Sequence, residues 1–195
     1  MARQGQVIEN PRRRERILLV ETGDENQGRR LVLRVWAEPC DVAPPMHFHP
    51  HQRETFKIVR GALTYVTGSA IPRRATAGET VSIEPGVSHT WWNADPETLE
   101  VEGILEPAGR FQLFIETVYG LIRDGRVTRR GIPHPLQMAV IAHEFRRDMV
   151  FTAIPRLARP LLRPAAFLGR LLGYQAWYPA YSGEVQRAPQ AQIVR

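Results

Sequence analysis

The stretch from Met46 to Gly61 constrains this chain more tightly than any other. His47 and His49 stand two residues apart, and in an extended segment side chains repeat every second residue, so both imidazoles leave the same face. Glu54 follows, and from it Glu54, Phe56 and Ile58 share one face while Thr55, Lys57 and Val59 share the other. A carboxylate heading an apolar row requires a partner, because an unpaired charge is costly to bury. A second stretch, Gly78 to Asn93, supplies candidates: His89, Trp91 and Asn93 again fall on one face of an extended segment. Three imidazoles and one carboxylate, His47, His49, His89 and Glu54, make a ligand set for a first-row transition metal. On an octahedral ion such a set leaves open positions for water, substrate or dioxygen.

These two stretches resemble the paired motifs of the cupin superfamily. The first follows the pattern HxH, four residues, Glu, six residues, Gly through His47, His49, Glu54 and Gly61. The second follows through Gly78, Pro85-Gly86, His89 and Asn93. Two departures concern the entry turns: Asp41 stands where the pattern opens with Gly, and Pro85 is adjacent to Gly86 rather than one residue further back. The resemblance covers about residues 15 to 107. It implies a jelly-roll barrel, a mainly β fold, with one divalent metal ion (Fe, Mn, Ni, Cu or Zn) on His47, His49, Glu54 and His89. Phe56 and Trp91, which share the faces of Glu54 and His89, are expected to line the pocket. His51 lies between ligands in sequence but outside the pattern, and is expected to face solvent or to support the ligands from behind.

The rest of the chain supports an all-β sandwich or barrel followed by helices. Residues 1–14 are basic and aperiodic and read as a flexible arm. Ile17–Glu21 and Arg30–Trp36 flank a turn-rich segment and are expected to form a hairpin, with Leu31, Leu33 and Val35 buried. Prolines between Glu38 and Pro45 indicate a loop. Short strands are expected at Leu63–Thr67, Ile71–Ala75, Thr80–Ile83 and Leu99–Leu105.

From Arg110 the period becomes helical, through Phe111, Phe114, Ile115, Val118 and Ile122, and the extension is expected to span 108–181 before a loose tail at 182–195. A second helical stretch is expected over Pro135–Phe151, with His134 and His143 structural or exposed. The segment 156–174 pairs leucines with Arg156, Arg159, Arg163 and Arg170. A basic amphipathic helix can lie on an anionic membrane, but Pro155, Pro160, Pro164, Gly169 and Gly173 favour two short pieces that pack Phe167 and the leucines on the protein's own body.

Composition narrows the function. The 195 residues fit one compact domain with an appendage. A single cysteine, Cys40, excludes an internal disulfide framework and a thiolate zinc cluster. No apolar run or signal-type leader is evident, so a cytoplasmic location is expected. The net charge of +6 is spread over arginine doublets without a nucleic-acid recognition pattern, so no nucleic acid partner is expected. Neither a dinucleotide fingerprint nor a phosphate loop is present.

The chemistry is therefore expected to be the metal's, with Glu54 as ligand and possible base. Resemblance to cupin dioxygenases implies a metal-dependent oxidoreductase acting on a small organic molecule. A metal-assisted isomerase or cyclase and a non-catalytic small-molecule-binding module are the alternatives. A homodimer is expected, using apolar helix surface between Phe111 and Phe151.

Overall fold

A computed structural model describes residues 2–39, 42–68, 71–128 and 132–182. Cys40, Asp41, Ser69, the Arg129-Arg130 doublet and the tail from 183 onward lie outside the described residues. Among the described residues eleven strands form two antiparallel sheets. They are β1 (Val7–Asn10), β2 (Glu15–Glu21), β3 (Leu31–Ala37), β4 (His47–Phe48), β5 (Arg53–Arg60), β6 (Ala62–Thr67), β7 (Arg73–Thr76), β8 (Thr80–Ile83), β9 (His89–Trp92), β10 (Leu99–Glu106) and β11 (Val150–Phe151). One sheet runs β1-β2-β3-β10-β5-β8 and the other β11-β4-β9-β6-β7. The helices α1 (Phe111–Arg123), α2 (Pro135–Glu144) and α3 (Leu162–Leu171) follow, the last preceded by a 3-10 turn over Arg156–Leu161.

The period-two pattern fixes the barrel wall. Across the six-stranded sheet Ile17 pairs with Val35, Val35 with Val101 and Val101 with Ile58, and all four are buried. Each such side chain contributes roughly 1.5–3 kcal/mol by leaving water. The opposite face of the same strands is charged: Arg34 meets Glu100 at 3.0 Å and Glu102 at 3.3 Å, and Lys57 meets Glu102 at 3.1 Å. The motif glycine Gly61 turns between β5 and β6 at a φ of +75°, and a Cβ there would meet the Thr98 carbonyl oxygen at 2.9 Å. Both the backbone conformation and the space require glycine.

Two expectations are corrected. Residues 2–14 are not a free arm: β1 pairs with β2 from Val7↔Leu18 to Asn10↔Glu15, and Ala2 is buried. The Asn10 side-chain oxygen accepts from the backbone N–H of Arg12 and Arg13, each at 3.2 Å, which closes the hairpin turn. The second helix ends at Glu144 rather than continuing to Phe151, because the chain turns there to add β11 to the sheet edge beside β4. Phe114, Ile115, Val140, Ile141, Phe145 and Met149, from the helices and the turn after them, are buried within the chain itself and join the barrel's core.

Candidate metal centre

His47 and His89 face each other across neighbouring strands β4 and β9, while Glu54 reaches them from β5 in the opposing sheet. His49 follows β4 directly, and its carbonyl accepts from the Gly86 N–H at 2.8 Å, so the glycine turn of the second motif is bonded to the first. The ring centroids of His47 and His89 lie 4.5 Å apart, those of His47 and His49 5.2 Å, and those of His49 and His89 5.5 Å. One ligating atom from each of the four residues falls within 4.8 Å of every other, and all four residues are buried. The positions expected from the sequence are thus brought to one point.

Each imidazole is held by its far nitrogen. The Nδ1–H of His47 donates to the Pro45 carbonyl at 2.8 Å, that of His49 to the Asp148 carbonyl at 2.7 Å, and that of His89 to the Val87 carbonyl at 3.0 Å. A carbonyl oxygen can only accept, so Nδ1 carries the proton and Nε2 presents its lone pair. The Nε2 atoms of His49 and His89 and Oε2 of Glu54 are buried with no hydrogen-bond partner. His89 Nε2 lies 2.7 Å and His49 Nε2 3.5 Å from Glu54 Oε2. Three imidazoles held through Nδ1, with Nε2 and a carboxylate brought together, make a donor set that fits a divalent transition ion.

The electrostatics agree. Burial pushes His47 down to about 3, with neighbouring His89 adding to the effect, so its ring stays neutral and able to ligate. Burial alone would raise Glu54, but His49 and His89 beside it hold its carboxyl well below the usual range. Burial alone would lower His49, and contact with Glu54 overcomes it and raises the ring.

Phe56 and Trp91 pack edge to face at 5.8 Å, each two residues along its strand from a ligand, and both are buried. His51 is exposed, as expected of a residue outside the pattern. His134 caps α2 by accepting from the Leu136 N–H and stacks on Tyr174, a structural role. Asn93 is buried and donates to the carbonyls of Ala37 and Glu97, fixing the end of β9.

Sequence reasoning missed several neighbours. Phe111, the first residue of α1, sets its ring 5.2 Å from that of His49. Gln52 donates to the Pro107 and Ala108 carbonyls, tying the ligand loop to the start of the extension, and its buried Oε1 has no partner. Arg13 lies 4.8 Å over the Trp91 ring and pairs with buried Glu15 at 3.0 Å, and Glu15 in turn accepts from the Tyr119 hydroxyl at 2.6 Å. For Arg13 a signal existed: Asn10-Pro11 is a turn-initiating pair that predicts the β1–β2 hairpin.

Residues 37–105 match the family model described as Cupin domain. An oxidoreductase of Arthrobotrys oligospora is 26% identical over 159 residues, covering 71% of this chain and 59% of that protein. The oxidoreductase macE of Penicillium terrestre is 37% identical over 100 residues, covering 45% of this chain and 37% of that one. The chain thus spans less than two thirds of the length of either curated relative. Among solved structures, a double-stranded β-helix protein from Klebsiella pneumoniae aligns at TM-score 0.42 and 22% identity, covering 55% of this chain and 83% of its own. KdgF from Halomonas sp. aligns at TM-score 0.43 and 15% identity, covering 51% and 85%.

Proposed function

Taking as premise that residues 37–105 are a cupin domain, which makes the chain a member of the cupin superfamily, we propose that it is a mononuclear metal-dependent oxidoreductase of the dioxygenase type. Its substrate is a small organic molecule held in the barrel. The observation that carries this reading is the convergence of three carbonyl-anchored imidazoles and Glu54, with buried lone pairs left unpaired. That both curated relatives are named oxidoreductases supports the redox assignment.

A divalent ion in this set supplies Lewis acidity and, where it is redox-active, electron transfer. The protein's own residues supply the rest. The Nδ1–H bonds to Pro45, Asp148 and Val87 fix the tautomer and aim of each ligand before anything binds. Glu54 has a double capacity, as a ligand and as a base toward an acidic proton on the substrate. Phe56, Trp91 and Phe111 exclude water and favour a planar, largely apolar molecule, while the free Oε1 of Gln52 offers an acceptor close to His49.

The test loads metal-free protein anaerobically with Fe(II), Mn(II), Ni(II) or Zn(II), then screens phenolic, enol and keto compounds while recording oxygen uptake. Turnover with a redox-active ion, with stoichiometric oxygen consumption and none with Zn(II), is expected. Equal turnover with Zn(II) and without oxygen would replace this reading with a metal-assisted isomerase or cyclase. Tight binding of a metabolite with no turnover on any metal would make the barrel a binding module.

A further inference from the structure

The helix α3 is inside out for a helix in water. Its inward face is Ala166 and Gly169, both buried, and its outward face is Phe167, Leu168 and Leu171, at 64%, 48% and 69% exposure. The 3-10 turn before it leaves Leu157 95% exposed and Leu161 65%. Leu172 and Trp177 continue the exposed apolar surface beyond the helix. A surface helix normally buries its bulky apolar residues, and an exposed apolar patch of this extent marks a contact surface. Nor can α3 rotate to hide it. A Cβ at Gly169 would meet Val140 Cγ2 at 2.7 Å and the Leu136 carbonyl oxygen at 2.9 Å, so the small face is the only one that fits against α2.

Charge identifies the occupant. Residues 156–172 contain four arginines and no acidic residue. Arg170 meets Glu144 at 2.9 Å, and Arg159 lies 5.9 Å over the Phe48 ring. Arg156 and Arg163 are exposed and make no ion pair among the described residues. A second copy docked symmetrically on this face would set the same arginines against each other with no carboxylate from the segment between them. An anionic lipid surface satisfies both features at once: it takes arginines at the headgroups and leucine, phenylalanine and tryptophan at the acyl boundary. No helix among the described residues is long and apolar enough to cross a membrane, so the segment would lie on the surface rather than span it.

We propose that the face formed by the 156–161 turn and α3 docks this protein on the surface of an anionic phospholipid bilayer. The docked face adjoins the strand that carries His47, through Arg159 on Phe48, so the metal centre sits close behind it. The proposal stands on this surface alone and is independent of the chemistry assigned to the barrel.

The test is co-sedimentation with vesicles of phosphatidylcholine alone and of phosphatidylcholine with phosphatidylglycerol. The wild type is compared with Arg156→Gln/Arg163→Gln and with Phe167→Ser/Leu171→Ser. Binding to the mixed vesicles is expected, with much weaker binding to the neutral ones and release by high salt. The arginine pair should weaken binding about 30-fold, and the apolar pair should abolish it. All four positions are exposed, so both variants should keep the wild-type circular dichroism and melting temperature, which separates lost docking from lost folding. Trp177 fluorescence should shift to the blue on mixed vesicles, a change absent from Trp177→Phe. Failure of the wild type to bind anionic vesicles, or undiminished binding by the two double variants, overturns the proposal. So does a wild-type dimer that Phe167→Ser/Leu171→Ser converts to monomer, which would make this face a self-association surface.

Discussion

Replacing Glu15 by Ala should be among the most damaging single changes outside the metal centre. Glu15 is buried at 2% side-chain exposure and Arg13 at 13%, and their 3.0 Å contact is joined by the 2.6 Å bond from the Tyr119 hydroxyl. Removing the carboxylate strands a cation over Trp91 and leaves a buried hydroxyl without an acceptor. Breaking a buried pair from one side costs about 3–5 kcal/mol, and an orphaned polar group about 1–3 kcal/mol. The two overlap, because both groups relax toward the vacated space, and about 4 kcal/mol is the expected net loss. With a urea slope of about 2 kcal/mol per molar, the midpoint should fall by about 2 M. Tyr119→Phe alone should cost only about 1 kcal/mol. The triple variant Arg13→Met/Glu15→Leu/Tyr119→Phe should recover most of the loss, since well-packed apolar groups replace a buried ionic network at little cost. A Glu15→Ala loss under about 1 kcal/mol, or a triple variant no more stable than Glu15→Ala, would refute the view that a buried network here fixes the N-terminal hairpin to the helical extension.

Three further outcomes are expected. His49→Ala and His89→Ala should each reduce bound metal well below one ion per chain by elemental analysis, whereas exposed His51→Ala should leave it unchanged; full occupancy in both ligand variants would dissolve the assigned centre. Burial raises the Glu116 carboxyl against the bonds from Gln112 and Ala2 that lower it, so its contribution to stability is greatest in acid and is lost as pH rises through its folded value. Glu116→Gln should therefore gain on the wild type at pH 8 and lose that advantage near pH 4, and a pH-independent difference in denaturation midpoint would contradict this. Gly169→Leu should lower stability by about 1–3 kcal/mol through forced separation of α2 and α3, read as a depressed melting temperature; an unchanged one would show that the helices do not depend on their close approach.

What could be read from the sequence and what could not divides along a physical line. Alternation over Glu54–Val59 placed Glu54, Phe56 and Ile58 inward, and the structure buries all three while leaving Lys57 and Val59 exposed. The ligand residues were legible because two motifs with fixed spacing each carry their own geometry. Neighbours supplied from far along the chain were not: the carbonyl of Asp148 that anchors His49 is 99 residues away and carries no side-chain signal at all. Strand β11 was missed because two residues show no period, and it forms by pairing with β4 rather than by propensity. The 156–174 segment is the most instructive case. Periodicity grouped its leucines and the prolines and glycines broke it into two short helical pieces, but the expected packing of Phe167 and the leucines on the protein's own body fails, since Phe167, Leu168 and Leu171 are exposed: a period tells which residues share a face and not which way that face turns. Gly169, read as a weakness in a helix, is what decides the orientation.

The expected division at residue 107 between a metal-binding barrel and an appended extension does not hold as a division of labour. Strand β4, which carries His47, is two residues long and too short to persist on its own. It is held between β9 and β11, with Thr152 donating to the Met46 carbonyl from both its backbone N–H and its hydroxyl at 3.0 Å. His49 takes its orientation from Asp148 and its apolar wall from Phe111, both in the extension. Asp148 in turn accepts from the Arg110 N–H at the start of α1, so the same residue fixes the ligand and the entry to the helices. His49 and the strand that carries His47 are therefore positioned by residues 110–152, while His47 and His89 keep their local bonds to Pro45 and Val87, and the free energy of any ion held there would be shared with the folding of that segment. An ion held by His47, His49, Glu54 and His89 would stabilise the extension as well as the barrel, and a change that loosens α1 or β11 should then weaken ion binding without touching a ligand residue.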